Sequence, residues 1–476
     1  MNREQPVFDM KYAQRTLILL GLAVLTIFYI EIMLTPSIPA IRLDYRVTVG
    51  QASLILALYT VFGTAITPIL GKLGDIYGKK KMLTYVLIAY AVMVAVTSFA
   101  PDFTTLLMLR TFQGVGIAIV PLAFSLAREE FPREMISRAQ ALISGMIFAG
   151  IGLGLSAGAF VSRFYGWQAN YYLAAPIVII LTVLIIYSVR ESLHRNLRGK
   201  LDYVGSAIFG TSLAMTVLGL SQGSQWGWTS SPIVALLSIG VLLLVPLAMF
   251  ERRTKEPLLN FSQLRLRNVM VSNILAVTAG AIIVLSFSTL AYKLEDAQPV
   301  GYGFDILTTG LYILPVAVVA LIAAYPLGIL NSRFGVKPFL LAGSVIGGLG
   351  SILLASETAA IQIPEYLSIL SLGFAMLVAS RQILLVLSVK PIEMASFTSM
   401  NQVFFNVGQS LGPAISASFL STYVYTTVLA GQAHTFPTAN AFQYAFWFGT
   451  LLFVVSFLVS ILAREVVGKK AAVPTS

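Results

Sequence analysis

Apolar residues run along this chain in long blocks separated by short islands of polar and basic residues. About twenty apolar residues carry a helix across the hydrocarbon core of a bilayer. On that rule the chain holds fourteen spans, placed at roughly 16–40, 50–70, 82–100, 104–126, 138–162, 170–189, 203–222, 231–250, 268–291, 306–330, 337–356, 364–387, 396–425 and 440–463. The expected fold is therefore an all-α polytopic membrane protein. Its loops are too short for a separate soluble domain. The N-terminus carries charge before its apolar run and shows no small-residue cleavage site, so no cleaved signal peptide is expected.

The basic islands orient the spans. Of 31 Lys and Arg residues, twenty-five fall in loops on the side of the N-terminus and four on the other side, namely Arg42, Arg46, Arg163 and Lys293. The remaining two, Arg110 and Arg381, lie within spans. Positive charge accumulates on the cytoplasmic side of membrane proteins, so both termini are expected in the cytoplasm. The net charge of +11 is thus a topology signal, with no basic face of the kind that binds nucleic acid. Composition agrees: 57% of residues are hydrophobic and 11% charged. There is no Cys, and the two His, His194 and His434, fall in predicted loops. No metal cluster is expected, nor any cofactor, nucleotide loop or catalytic triad, and the chain does not read as an enzyme.

One basic island is repeated. Gly71-Lys72-Leu73-Gly74-Asp75-Ile76-Tyr77-Gly78-Lys79-Lys80-Lys81 follows span 2, and Gly328-Ile329-Leu330-Asn331-Ser332-Arg333-Phe334-Gly335-Val336-Lys337 follows span 10. Each reads as a tight inter-helical loop turning at glycine. The repeat implies a duplication in which spans 1–6 and 9–14 are the halves and spans 7 and 8 an insertion. This gives an N-terminal six-helix bundle at 1–200, an inserted pair at 201–255 and a C-terminal six-helix bundle at 256–476. The first copy resembles the loop motif G-x-L-a-D-r-x-G-r-[KR] of the major facilitator superfamily of transporters. Lys200 to Gly205, the turn around Trp226 and Trp228, and Glu251 to Leu258 are similar to the fourteen-helix drug:proton antiporter branch, so the resemblance covers nearly the whole chain. It implies two bundles that alternately expose a central site to each side of a prokaryotic plasma membrane.

Candidate chemistry follows from charges inside spans. Arg110 costs roughly 2.5–3.5 kcal/mol to bury at such depth, so something must offset it. Either it snorkels or pairs structurally near the outer interface, or it serves function. Arg110-Thr111-Phe112-Gln113-Gly114-Val115-Gly116 resembles the second facilitator motif, which implies proton coupling by Arg110 and Gln113. Glu31 is the sole acid deep in a span. It lies about 15 Å from the outer face and Arg110 about 10 Å, so the two are expected to meet across the cavity. Desolvation favours a neutral carboxyl and a neighbouring guanidinium favours a charged one, so Glu31 can switch protonation as water access alternates. The alternative is a fixed ion pair. Related antiporters carry a span 1 carboxylate that is usually Asp, in a register shifted by one residue.

Span 5 carries Gly145, Gly150, Gly152, Gly154 and Gly158, which close helix packing explains. Gly145, Gly154 and Gly158 also match the antiporter motif G-x8-G-x3-G-P-x-x-G-G. The match fails beyond them, at Ala159, Ser162 and Arg163, whereas span 13 keeps Gly412-Pro413. Gly71, Asp75, Gly78, Lys79 and Arg333 are candidates for a gating loop, with Asp75 set against cations or a helix N-terminus; Asn331 in the second copy makes that charge one-sided. Arg381, near the cytoplasmic end of span 12, is expected to snorkel, with a substrate-pathway role as the alternative. Tyr29, Glu31, Met33, Arg110, Phe148 and Tyr292 are candidates for contact with substrate. The resemblance implies a monomeric, proton-driven antiporter exporting small amphipathic, often cationic compounds. A facilitator or symporter for one metabolite or organic anion is the alternative.

Overall fold

In the computed structural model, which describes residues 9–192, 194–196, 199–251, 254, 265–295, 300–429 and 432–466, the chain is almost wholly helical. Thirteen helical segments are long and apolar enough to cross a membrane among the described residues. They are span 1 Met10–Ser37, span 2 Leu54–Tyr77, span 3 Lys79–Thr97, span 4 Phe103–Glu130, span 5 Met135–Tyr165, span 6 Gln168–Ser188, span 7 Tyr203–Trp226, span 8 Ser231–Glu251, span 9 Arg267–Glu295, span 10 Ile306–Phe334, span 11 Lys337–Ala355, span 12 Ala360–Ser388 and span 14 Ala439–Ile461. Span 13, Met394–Thr422, is long enough to cross but is more polar than those thirteen. Most of its Ser, Thr, Asn and Gln side chains are buried, Thr398, Asn401 and Asn406 among them.

Local chemistry sets the helix starts. Asp9, Asp102, Asp202 and Asp305 each accept from a backbone N–H three residues on, and Thr48 and Gln51 form a reciprocal box. Helix ends extend beyond the apolar blocks, because a helix continues past hydrocarbon into the headgroup zone. The glycine-rich islands are accordingly helical for most of their length. Span 2 runs to Tyr77 and span 10 to Phe334, and the turns reduce to Gly78 at φ 117° and Gly335 at φ 93°. Another departure from expectation is a β-hairpin between spans 13 and 14, Val424–Leu429 paired antiparallel with Gln432–Pro437, which places His434 in a strand. Most of the segment Arg252 to Leu258 lies outside the described residues, as do Arg3, Arg198, Lys469 and Lys470.

Packing follows a repeated plan. Span 1 lies on span 5, and span 9 on span 13. Across the molecule, span 2 lies on span 13 and span 5 on span 10. Span 7 covers spans 2 and 13, and span 8 packs on span 7. Small residues permit these crossings: a Cβ on Gly154 would sit 2.8 Å from the Tyr29 carbonyl of span 1, and one on Gly412 2.7 Å from the Leu285 nitrogen of span 9.

Candidate functional site

Span 1 is broken where Glu31 lies. Its α-helix ends at Ile32, and Thr35–Ser37 tightens into a 3-10 turn containing Pro36, which has no N–H to donate. Carbonyls in the last turn of a helix need outside donors. Arg110 supplies them: Nη1 donates to the Ile30 carbonyl at 3.1 Å and Nη2 to that of Glu31 at 2.5 Å. Nη1 also reaches Gln113 Oε1 at 2.9 Å, and the guanidinium lies 4.5 Å over the Tyr59 ring. Gln113 in turn donates to Thr97 of span 3. Arg110 is fully buried, so it does not snorkel. Its charge stands at a helix C-terminus inside the membrane, where the dipole favours a cation.

Glu31 and Arg110 therefore meet, though through the Glu31 backbone. Among the described residues the half-buried Glu31 carboxylate makes no hydrogen bond and no ion pair. The glycines after Gln113 explain the rest of the motif: a Cβ on Gly114 would lie 2.8 Å from the Gly63 nitrogen of span 2, and one on Gly116 2.6 Å from the Tyr90 ring.

A second centre joins the halves on the face carrying both chain ends. Asp75, almost fully buried, accepts from Ala395 N at 3.1 Å, Ser396 N at 2.8 Å and Ser396 Oγ at 2.6 Å, thereby capping the N-terminus of span 13. Lys79 is also buried. It donates to Glu129 at 2.6 Å and to the Pro391 carbonyl at 3.0 Å, and lies 3.6 Å from Asp75. Ser125 and Thr398, 3.0 Å apart, extend the seam, and Asn406 donates to Thr64 at 2.9 Å deeper in. Gly71 lets span 13 approach, since its Cβ would lie 2.7 Å from the Ala395 carbonyl. In the second copy Asn331 pairs with Ser380 inside its own half, and Arg333 is exposed. On the opposite face Arg163 and Asp305 form an exposed ion pair between the halves.

Between these ends lies a small cavity lined by Phe148 of span 5, Ile283, Ser286 and Phe287 of span 9, Val316 and Ala320 of span 10, and Leu370, Ser371 and Phe374 of span 12. Phe148 and Phe374 meet edge to face across it at 5.2 Å. The other expected contacts lie outside this lining. Tyr29 donates to Asn170 of span 6, Met33 is buried against Gly158, and Tyr292 is exposed at the end of span 9.

The family model of the Major Facilitator Superfamily matches residues 20–320 and 269–475. The chain belongs to this superfamily. Members are transporters, and the protein is a multi-pass membrane transporter accordingly. Among its relatives, Multidrug resistance protein 3 of Bacillus subtilis is 24% identical over 384 residues, 79% of this chain and 73% of the relative. The tetracenomycin C resistance and export protein of Streptomyces glaucescens is 22% identical over 416 residues, 86% and 76% of the two chains. The fold matches the proton:xylose symporter XylE at TM-score 0.65 and 14% identity, covering 97% of this chain and 98% of that one. It also matches the human organic anion transporter MFSD10 at 0.64 and 16%, covering 96% and 100%.

In this facilitator two further acids escaped notice in the sequence. Glu191, just after span 6, accepts from Lys80 N and Lys81 N at 3.0 Å each and caps span 3. Glu465, just after span 14, accepts from Val336 N at 2.8 Å and Lys337 N at 3.1 Å and caps span 11. Gly78 and Gly335 leave room for them: a Cβ would lie 2.7 Å from Glu191 Cδ or 2.5 Å from that of Glu465. The signal was an Arg-Glu pair, Arg190-Glu191 and Arg464-Glu465, ending each half.

Proposed function

We propose that this facilitator exports amphipathic, often cationic compounds in exchange for protons, with Glu31 as the titrating group and Arg110 and Gln113 as its positioning residues. The observation that carries this is the unpartnered Glu31 carboxylate at the break in span 1. A carboxyl without a fixed ion pair is free to take a proton from one side and release it to the other as the bundles rock. Two named drug-resistance and export relatives support the substrate class. The bacterial relatives and the excess of basic residues on one face support a plasma-membrane location with both termini cytoplasmic.

The test is Glu31→Gln in inverted vesicles, reading substrate-driven proton movement with ethidium as substrate. The expected result is loss of proton movement while ethidium still binds; proton exchange at the wild-type rate sinks the proposal. A second reading, a facilitator or symporter for one metabolite or organic anion, draws on the two buried arginines set against a single deep acid. Transport that persists at full rate after the proton gradient is collapsed favours it.

A further inference from the structure

Arg381 was expected to snorkel, and it does not. It is 4% exposed. Among the described residues no carboxylate lies within the 4.0 Å ion-pair distance of it. Its partners are neutral: Nη1 donates to Asn401 of span 13, and the guanidinium lies 5.0 Å over the Phe405 ring. Nε has no partner. Asn401 is held in place from behind by its own bonds to Ser272 and Asn273 of span 9. Arg110, equally buried, has two backbone carbonyls, those of Ile30 and Glu31, and the Gln113 amide around it. Arg381 is thus a buried cation with no counter-charge beside it among the described residues, an arrangement that is costly unless something else completes it.

Its position says what. Arg381 lies seven residues beyond Phe374 on one unbroken helix, which is two turns and therefore the same face, about 10 Å nearer the face carrying the chain ends. Leu370 and Phe374 on that stripe line the cavity. Arg381 accordingly stands under the cavity floor, on the side sealed by the Asp75 latch.

We propose that Arg381 is an anion subsite, taking the carboxylate or sulfonate of an amphipathic substrate whose apolar body lies between Phe148 and Phe374. The transporter then accepts anionic and zwitterionic compounds as well as cations. Opening at the latch draws span 13 away from the N-terminal half and brings water and substrate to the guanidinium, so the anion is met from the side of the chain ends. This rests on the central cavity being the substrate site and is independent of proton coupling through Glu31.

The test is equilibrium binding to the full chain in lipid nanodiscs, without a proton gradient, of two dyes sharing a xanthene ring: anionic fluorescein and cationic rhodamine 123. Arg381→Gln should weaken fluorescein binding about tenfold or more and leave rhodamine 123 within about twofold, while Arg381→Lys restores most of the fluorescein affinity. Melting temperature should not fall in Arg381→Gln, because that change removes an uncompensated charge. Parallel loss of both dyes, or a lowered melting temperature, assigns Arg381 a structural role in joining spans 9, 12 and 13 and overturns the proposal. Fluorescein binding that is absent in the wild type or unchanged in Arg381→Gln also overturns it. Proton exchange by Glu31 stands or falls separately in every case.

Discussion

Replacing Asp75 with Asn should open the seam between the halves. The carboxylate accepts three hydrogen bonds from the first turn of span 13 and faces that helix's positive end. A charge at a helix N-terminus and shielded from water contributes up to about 2 kcal/mol. Turning one acceptor oxygen into an NH2 group also removes at least one charge-assisted bond, about 1 kcal/mol more. The neutral amide is easier to bury, which offsets part of the loss. Lys79 is not orphaned, because Glu129 holds it at 2.6 Å. A net bias of about 2 kcal/mol against the closed seam remains, roughly a thirtyfold shift in the ratio of closed to open molecules. The chain has no Cys, so one introduced thiol reports cleanly. Ser399→Cys suits this, since Ser399 is fully buried against Gly71 and its hydroxyl has no hydrogen-bond partner among the described residues. Its alkylation by N-ethylmaleimide should quicken by about thirtyfold when Asp75→Asn is added, if labelling follows the open population. Asn331→Ala should leave the rate unchanged, because Asn331 bonds within its own half. Labelling that stays within about twofold of the parent refutes the assignment of Asp75 as the latch.

Two other changes test the site and the opposite face. Gly114→Val drives a side chain against the Gly63 backbone, an overpacking cost of about 1–3 kcal/mol or more; melting temperature and transport should both fall, whereas Gly210→Ala, with 3.6 Å of room, should change neither. Arg163→Glu sets like charges against each other at Asp305 and should speed labelling of a thiol placed at Ser156→Cys, a buried position beside Gly310 of span 10, with Arg163→Glu/Asp305→Arg restoring the parent rate. Asp305 is held below the usual carboxylate range first by its hydrogen bonds from Thr308 and then by Arg163. A depressed carboxylate keeps its contribution above the ordinary value and loses it only as pH falls through the lowered one, so labelling should be flat across about pH 5 to 8.

The membrane fold was legible because the bilayer imposes length and apolarity on each span. Span 13 is the most polar of the spans for a structural reason: the helix that closes the seam presents Ser396, Thr398 and Asn406 to the other half, and these lower its hydropathy. Depth arithmetic brought Glu31 and Arg110 together and could not say which atoms meet, because that depends on a helix end created by Pro36. Lys79 reads as a gating-loop candidate, but beside Lys80 and Lys81 its type does not show which lysine turns inward, and only the packing of Glu129 and Pro391 around it reveals a buried tie. Met33 and Tyr292 were chosen by side-chain type, which does not record the direction a side chain takes from its helix. Glu191 and Glu465 were missed because an acid just past a span looks like ordinary loop charge until the N-terminus it caps is known.

Those two acids separate frame from switch. Each ties the end of one half's last span to the start of its third, so both bonds lie within a half and travel with it as the halves rock. The bonds that cross are confined to other places, and they differ between the two seams. Spans 2 and 13 meet through Asp75, with Lys79, Ser125 and Thr64 adding polar ties to the start and body of span 13. Along spans 5 and 10, inward of the Arg163–Asp305 pair, the crossings are made by small residues against backbone or methyl groups: Gly145 beside Ala324, Gly152 beside Ala317, and Gly328 2.5 Å, by its would-be Cβ, from Arg138 Cα. Directional bonds break at a definite cost when helices part, whereas close-packed small residues slide at nearly constant contact. The duplicated fold thus carries one seam that locks and one that rolls, and the change from Asp75 to Asn331 between the two copies is the chemical difference that divides them.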